Sequence, residues 1–348
     1  MISISKPYIG EEEKQAVLDV LSSGMIVQGP RTALFEEKFA GIAQTKFAVA
    51  VSSGTAALHI ALLAHGIQPG DEVITSPFTF FATISSILYV GAVPVFVDIE
   101  EDTFNLDPDQ IEQAITSRTR AILPVHLYGY PCNMDRIMEI AARHNLAVIE
   151  DAAQAVGATL HGKPVGGFGT GCFSLYATKN IMSAEGGMIT TDDEGLAQRC
   201  KMIRNHGMQR RYYHEMLGYN LRMTDINAAI GLVQAGRLDQ FNQKRKENAA
   251  YYQQHITSVI KPAVKLDYEH VWHQYTIRVP DQRDRALKQL TDAGIGTGVF
   301  YPVPAYRQKP VVDMGYGNIS LPVTEKLVSE VISIPVHPLL SQAEREQV

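Results

Sequence analysis

The sequence predicts an α/β fold in which a mostly parallel central sheet is flanked by helices and followed by a smaller α+β C-terminal domain. Three observations carry that expectation. Between Phe47 and Thr191, short apolar runs alternate with helix-like segments, as successive strand–helix–strand units do. The runs are near-continuous rather than alternating, as expected of strands covered by helices on both faces. Hydrophobic residues make up 45% of the 348 residues and charged residues 20%, which is apolar enough for well-filled cores and excludes a disordered chain.

In chain order, FAVAVSS (47–53) reads as a buried strand, TAALHIALLAHG (55–66) as an apolar helix and EVITSP (72–77) as the next strand. The helical stretch ATISSILYVG (82–91) leads to the strand VPVFVDI (93–99). RAILPVH (120–126), the helix MDRIMEIAARHN (134–145) and AVIEDAA (147–153) continue the rhythm, and GCFSLYA (171–177) and GMITT (187–191) close it. Residues 223–256 then read as one long helix ended by Pro262, because proline cannot continue a helix. YTIRVP (275–280) is a strand, DRALKQLTDAG (284–294) a helix closed by Gly294, and YPVPAYRQKP (301–310) a Pro-rich loop. The boundary is expected near 235: residues 1–235 form the large domain with an N-terminal arm, and 236–348 the connecting helix and small domain. SQAEREQV (341–348) reads as the start of a helix, so an incomplete C-terminal element is expected.

Lys and Arg number 31 against 37 Asp and Glu, a formal charge of −6, so no basic face for nucleic acid is expected. Cys132, Cys172 and Cys200 are too few and scattered for a disulfide framework or a four-ligand zinc site, and the eleven histidines show no metal spacing. The first residues lack a signal-peptide pattern, and no apolar run reaches the ~20 residues of a membrane span. A cytoplasmic protein without metal is expected.

Four local features bear on chemistry. In VSSGTAALHIA (51–61) a strand meets a Ser/Gly/Thr turn at a helix N-terminus, where free amides and the helix dipole suit an anion; an ordinary N-cap is the alternative. In VIEDAAQAVGA (148–158) a strand delivers Glu150 and Asp151 at its C-terminal end, where ligands sit in open α/β sheets. A carboxylate buried there needs a metal, an Arg or a cationic ring nitrogen, unless Asp151 merely caps a helix. In CFSLYATKN (172–180) a strand leads to Lys179, which burial could keep neutral for Schiff-base chemistry or which could lie on the surface. Tyr176 and Lys179 also suggest a dehydrogenase pair, but their spacing is three rather than four and no glycine fingerprint accompanies them. In SPFTFFAT (76–83) one of Phe78, Phe80 and Phe81 could stack on a planar ring, or all three could be core. Together a phosphate cradle, a buried carboxylate, a lysine and a stacking aromatic are what pyridoxal phosphate needs. GGFGTG (166–171) reads as a flexible turn.

The chain resembles the DegT/StrS-type sugar aminotransferases, pyridoxal-phosphate enzymes of the aspartate aminotransferase fold (fold type I). The resemblance runs through IVQGPRTALFEEKFA, SSGTAALHIAL, ITSPFTFFAT, PVFVDIE, EDAAQAVGA, FSLYATKNIMSAEGGMITT, GYNLRMTDINAAIG and LPVTEKLVSEVISIPVHP. It implies that Lys179 is the Schiff-base lysine and proton shuttle, that Asp151 pairs with the pyridinium, that Gln154 contacts the ring hydroxyl and that Phe80 stacks on the ring. Gly54, Thr55 and Ser174 would bind the phosphate, joined by Asn220 from the neighbouring subunit of a homodimer. The family implies amino transfer from glutamate, with glutamine as the alternative donor, to a keto group of a UDP- or dTDP-linked sugar. Lys179, where dehydrating members carry His, indicates a transaminase, and NIMSAEGGMITT resembles the group acting on 4-keto rather than 3-keto sugars. Arg222 could hold the glutamate carboxylate or form a surface ion pair, and Tyr301 and Tyr306 are candidate sugar contacts. A regulator that keeps the cofactor pocket without turnover is the alternative.

Overall fold

The computed structural model describes residues 1–348. The central sheet has seven strands: β1 (Phe47–Val51), β2 (Glu72–Thr75), β3 (Val93–Phe96), β4 (Thr119–Leu123), β5 (Ala147–Asp151), β6 (Thr170–Ser174) and β7 (Gly187–Thr191). Their spatial order is β1-β7-β6-β5-β4-β2-β3. The five strands from β3 to β6 are mutually parallel, and β7 runs antiparallel to both β6 and β1. Strands β1, β2, β5 and β6 therefore all end at one sheet edge, the place where open α/β sheets bind ligands.

Helices cover both faces because the strands are apolar on both. Helix α1 (Glu11–Ser23) and helix α2 (Pro30–Ala43) precede β1; α3 (Gly54–Ala64), α4 (Phe81–Tyr89), α5 (Met134–His144) and α6 (Glu194–Arg204) lie between or after strands. Helix α3 carries the largest core, with Ile60, Ala61 and Leu62 fully buried against Val49, Ile149 and Ile189. Helix α5 packs Ile137 and Ile140 on Ile122 and Val148 of the other face. Strands β8 (Met208–Arg210) and β9 (Tyr213–His214) form an exposed hairpin beyond α6.

Residues 223–256 form two helices rather than the one expected. Helix α7 (Asp225–Gly236) and helix α8 (Leu238–His255) are separated by Arg237, whose φ of −105° and ψ of 0° break the ladder just after Gly236. Helix α8 ends at His255, where Ile256 turns extended, well before Pro262. The C-terminal part pairs β10 (Tyr275–Arg278) antiparallel with β11 (Val331–Ile334), flanked by α9 (Arg283–Asp292) and α10 (Pro322–Glu330). Tyr252, Trp272, Tyr275 and Ile332 form its own apolar cluster, while Leu327 and Val331 reach into the main core.

The grouping of the N-terminal arm with residues 1–235 needs correction. Ile2 bridges Ile295, its amide donating to the Gly294 carbonyl at 2.8 Å and its carbonyl accepting from Gly296 at 2.7 Å. The first residues thus belong physically with the C-terminal part, because their backbone groups find partners there. The Pro-rich loop is also more ordered than expected, with short helical turns at Ala305–Arg307 and Lys309–Val312. No helix is long and apolar enough to cross a membrane.

Candidate active site

Strand β1 runs into α3 through the Ser52-Ser53 turn. Ser53 is the N-cap, its Oγ accepting from the Ala56 amide at 3.1 Å. That leaves the amides of Gly54 and Thr55, which have no carbonyl one turn back, pointing out of the helix end. Only glycine fits at position 54: a Cβ there would lie 2.8 Å from the Ser174 Cβ. The close approach brings Gly54, Thr55 and half-buried Ser174 together at the ends of β1 and β6.

Strand β5 ends in two carboxylates whose side chains leave opposite faces of the sheet. Glu150 is wholly buried, yet it accepts from His126 Nε2 (3.1 Å) and from the amides of Gly166 (2.7 Å), Phe168 (3.0 Å) and Gly169 (2.7 Å). His126 Nδ1 accepts from the Cys132 amide at 3.0 Å, so the network assigns the proton to Nε2. Burial pushes the Glu150 carboxyl up, but the His126 bond and the turn amides outweigh it and hold it below the ordinary carboxylate range. The GGFGTG segment, expected to be a flexible turn, is therefore a carboxylate clamp, and Gly166 supplies the left-handed φ of +81° it needs.

Asp151, 5% exposed, is less well provided. Its Oδ2 accepts from Thr83 Oγ1 at 2.8 Å and its Oδ1 from the Ala153 amide at 3.2 Å. Here burial wins and raises the carboxyl above its ordinary value, against Thr83, Ala153 and the nearby Lys179. Lys179 follows β6 in a turn closed by its own amide on the Tyr176 carbonyl at 2.9 Å. Its amine has no hydrogen-bond or ion-pair partner, and burial lowers its pKa to about 8 against the pull of Asp151. The next residue, Asn180, is pinned: Nδ2 donates to Asn242 Oδ1 (2.8 Å) and to the Val271 carbonyl (2.9 Å), and Oδ1 accepts from His273 Nδ1 (3.2 Å). His273 is held neutral by burial and by the charges of Lys179 and Arg245.

Phe80 is the N-cap residue of α4 and is 59% exposed, an unusual amount for such a ring. Its centroid lies 5.9 Å from that of Tyr301. Gln154 joins this wall: its Oε1 accepts from the Tyr128 amide at 2.7 Å and its Nε2 donates to the Tyr301 hydroxyl at 3.1 Å. Phe78, by contrast, is core. Tyr306 does not line the site, and its reading as a sugar contact is corrected. Its ring is fully buried with Ile84 and Val311, and its hydroxyl is spent on Glu325 at 2.9 Å. Asn220 is exposed, its backbone bridging Asn205, and it bonds to none of the residues above. Arg222 forms no ion pair within this chain: its Nη1 donates to Asn205 Oδ1 at 2.6 Å.

The model of the DegT/DnrJ/EryC1/StrS aminotransferase family matches residues 7–348. The chain belongs to that family. Its cofactor is pyridoxal phosphate, and the fold is fold type I. The chain is 42% identical over 357 residues, covering 100% of itself and 96% of the relative, to a pleiotropic regulatory protein of Geobacillus stearothermophilus. It is also 42% identical over 370 residues, 99% of the chain and 94% of the relative, to the spore coat polysaccharide biosynthesis protein SpsC of Bacillus subtilis. Among solved structures, DesV of S. venezuelae in complex with a ketimine intermediate superposes with a TM-score of 0.94 at 39% identity, over 97% of this chain and 92% of that one.

The residues present fit the cofactor. A buried carboxylate short of donors suits a ring cation, an unpartnered amine of lowered pKa suits a carbonyl, and free helix amides suit a phosphate. Reading the sequence missed Thr83, Tyr128, Asn180 and His273. Thr83 and Asn180 stand inside the quoted motifs SPFTFFAT and CFSLYATKN; Tyr128 and His273 had no local signal, because their partners are distant in sequence.

Proposed function

We propose that the protein transfers an amino group from glutamate to the keto group of a UDP- or dTDP-linked sugar, with a 4-keto-6-deoxy sugar favoured over a 3-keto one. The observation that carries this reading is the unpartnered Lys179 amine beside under-satisfied Asp151. When bound, pyridoxal phosphate supplies an electron sink for the carbon that bears the amine. Lys179 would hold the cofactor and then, as the neutral amine its burial favours, move the proton between carbons. Asp151 would keep the ring nitrogen protonated, Phe80 would cover one ring face, and Gln154 would meet the ring hydroxyl. Gly54, Thr55 and Ser174 would take the phosphate.

The sugar reading is supported by the polysaccharide role in the name of SpsC and by the motif NIMSAEGGMITT. Exposed Asn220, together with the apolar surface around Leu217 (95% exposed) and Val27 (68%), supports a homodimer in which each subunit lends Asn220 to the other's phosphate site. Arg222 is then available to a glutamate carboxylate, and Tyr301, on the wall with Phe80, to the sugar.

Incubation of the cofactor-loaded enzyme with glutamate should convert the visible band to that of the amine form. Glutamate with a panel of UDP- and dTDP-linked 3-keto and 4-keto sugars, read by mass spectrometry, then identifies the acceptor. Loss of neither turnover nor band in Lys179→Ala sinks the mechanism. The name of the Geobacillus relative favours a second reading, a pyridoxal-phosphate-binding regulator; it gains if glutamate leaves the loaded wild-type band unchanged.

A further inference from the structure

A chain of three buried polar side chains ends at Asp151. Thr79 is 5% exposed, Thr83 is fully buried and Asp151 is 5% exposed. Thr79 Oγ1 and Thr83 Oγ1 are 2.8 Å apart, and Thr83 Oγ1 is 2.8 Å from Asp151 Oδ2. A hydroxyl has one proton to give. An ionised carboxylate only accepts, so Thr83 must give its proton to Asp151 and Thr79 must give its own to Thr83. The relay has one direction, and that direction favours the charged carboxylate.

The position of Thr83 makes the relay more than a local bond. Thr83 lies in the first turn of α4, the helix whose N-cap is Phe80. A helical threonine ordinarily turns its hydroxyl back to a carbonyl of the preceding turn; here the hydroxyl crosses to β5 instead. The same turn that presents the Phe80 ring is thereby tied to the carboxylate at the end of the neighbouring strand. This bond ties together the two surfaces that would grip a ring, its face and its nitrogen edge. The Ala153 amide at 3.2 Å is the only other donor to Asp151, so nothing else holds Oδ2.

We propose that Thr83, backed by Thr79, is a positioning residue that orients the Asp151 carboxylate and registers it against the Phe80 ring for cofactor binding and amino transfer. The inference rests on pyridoxal phosphate binding at Lys179. Thr83→Val keeps the shape and removes the hydroxyl; Thr83→Ser keeps the hydroxyl and removes a methyl; Thr79→Val removes only the far end of the relay.

The cofactor is titrated into apo protein of each variant, following the visible band for affinity and for its pH dependence, with thermal melting as the control for folding. Thr83→Val should bind the cofactor roughly tenfold more weakly, as loss of a hydrogen bond to a charged group implies. Its band should also titrate at a different pH from wild type. Thr79→Val should lose about threefold, and Thr83→Ser should restore both readouts. Equal affinity and equal titration in Thr83→Val and wild type overturn the inference, as does a loss that Thr83→Ser fails to restore, which would mark a packing role. These readouts need no turnover. A wild-type enzyme that binds cofactor but does not react with glutamate would defeat the proposed transaminase and leave Thr83 to be judged on binding.

Discussion

Glu150 and Asp151 are neighbours on one strand with opposite fates, and the comparison separates structure from function. Glu150 faces four donors and needs nothing more; its ionisation is favoured, and it ties β5 to the 166–169 turn. Asp151 faces two donors at the sheet edge, and its burial disfavours the charge it carries. A buried carboxylate that is fully satisfied belongs to the fold. One left short of partners is held ready for a ligand, at a cost to the empty protein.

The sharpest way to break this comparison is to remove each charge in turn. Asp151→Asn or Lys179→Ala should lower amino transfer by roughly a thousandfold or more while the protein stays folded, as expected for groups acting in proton transfer or covalent catalysis. Steady-state turnover with glutamate beside a circular dichroism spectrum checks this. Glu150→Gln should do the reverse. It strands His126 and the clamp amides, costing about 3 kcal/mol of stability in urea unfolding, while the fraction still folded keeps its cofactor band. If Glu150→Gln melts like wild type but loses the band, the division of labour between the two carboxylates is wrong.

The pH dependence separates them further. The carboxyl of Glu150 is depressed in the folded state, so its stabilisation is present above the ordinary carboxylate range and is lost as pH falls through the folded value. Asp151 is raised, so the folded state binds its proton more tightly, and its charge destabilises the empty protein once pH rises above that range. Apo Asp151→Asn should therefore be more stable than wild type at neutral pH, with the gain fading in acid. Melting of both apo proteins from pH 4 to 8 tests the sign. An unchanged or lower melting point at pH 7 would show that Asp151 is not under-satisfied.

A smaller effect concerns a third carboxylate, which contacts none of the proposed cofactor-binding residues. Asp225 accepts from the amides of Gly29 (2.8 Å), Arg31 (3.0 Å) and Thr32 (2.9 Å), capping α2, whose own N-cap Gly29 has no side chain to offer. Asp225→Ala should cost about 1 kcal/mol as a lost cap, with glutamate turnover per folded molecule intact. Asp98 does the same for α10 through the amides of Val323 and Thr324, both at 2.9 Å.

Much of the fold was legible in the chain. Continuous apolar runs predicted buried strands, and seven of them form the central sheet. The order of SSGT, EDAAQ and ATKN on successive strand ends predicted that Gly54, Asp151 and Lys179 lie at one edge. The break at Arg237 was not legible, because a residue with acceptable helix propensity hides it and packing against α1 and α2 decides the angle. Tyr306 was misread because the resemblance carried it over by its place in the YPVPAYRQKP loop, and position along a loop does not set which way a ring turns; Glu325 satisfies its hydroxyl inside the core.

What the sequence determined by itself was local: which segments become strands and helices, and which side chains stand at their ends. Those follow from periodicity and covalent adjacency, which reach only a turn or two along the chain. What the tertiary structure decided was pairing: Thr83 with Asp151 across 68 residues, Asp225 with the start of α2 across 193 and more, Ile2 with Ile295, and Glu150 rather than Asp151 with the glycine turn. The same two carboxylates, adjacent and chemically alike, acquire different roles because a strand turns consecutive side chains to opposite faces, and only packing sets what waits on each.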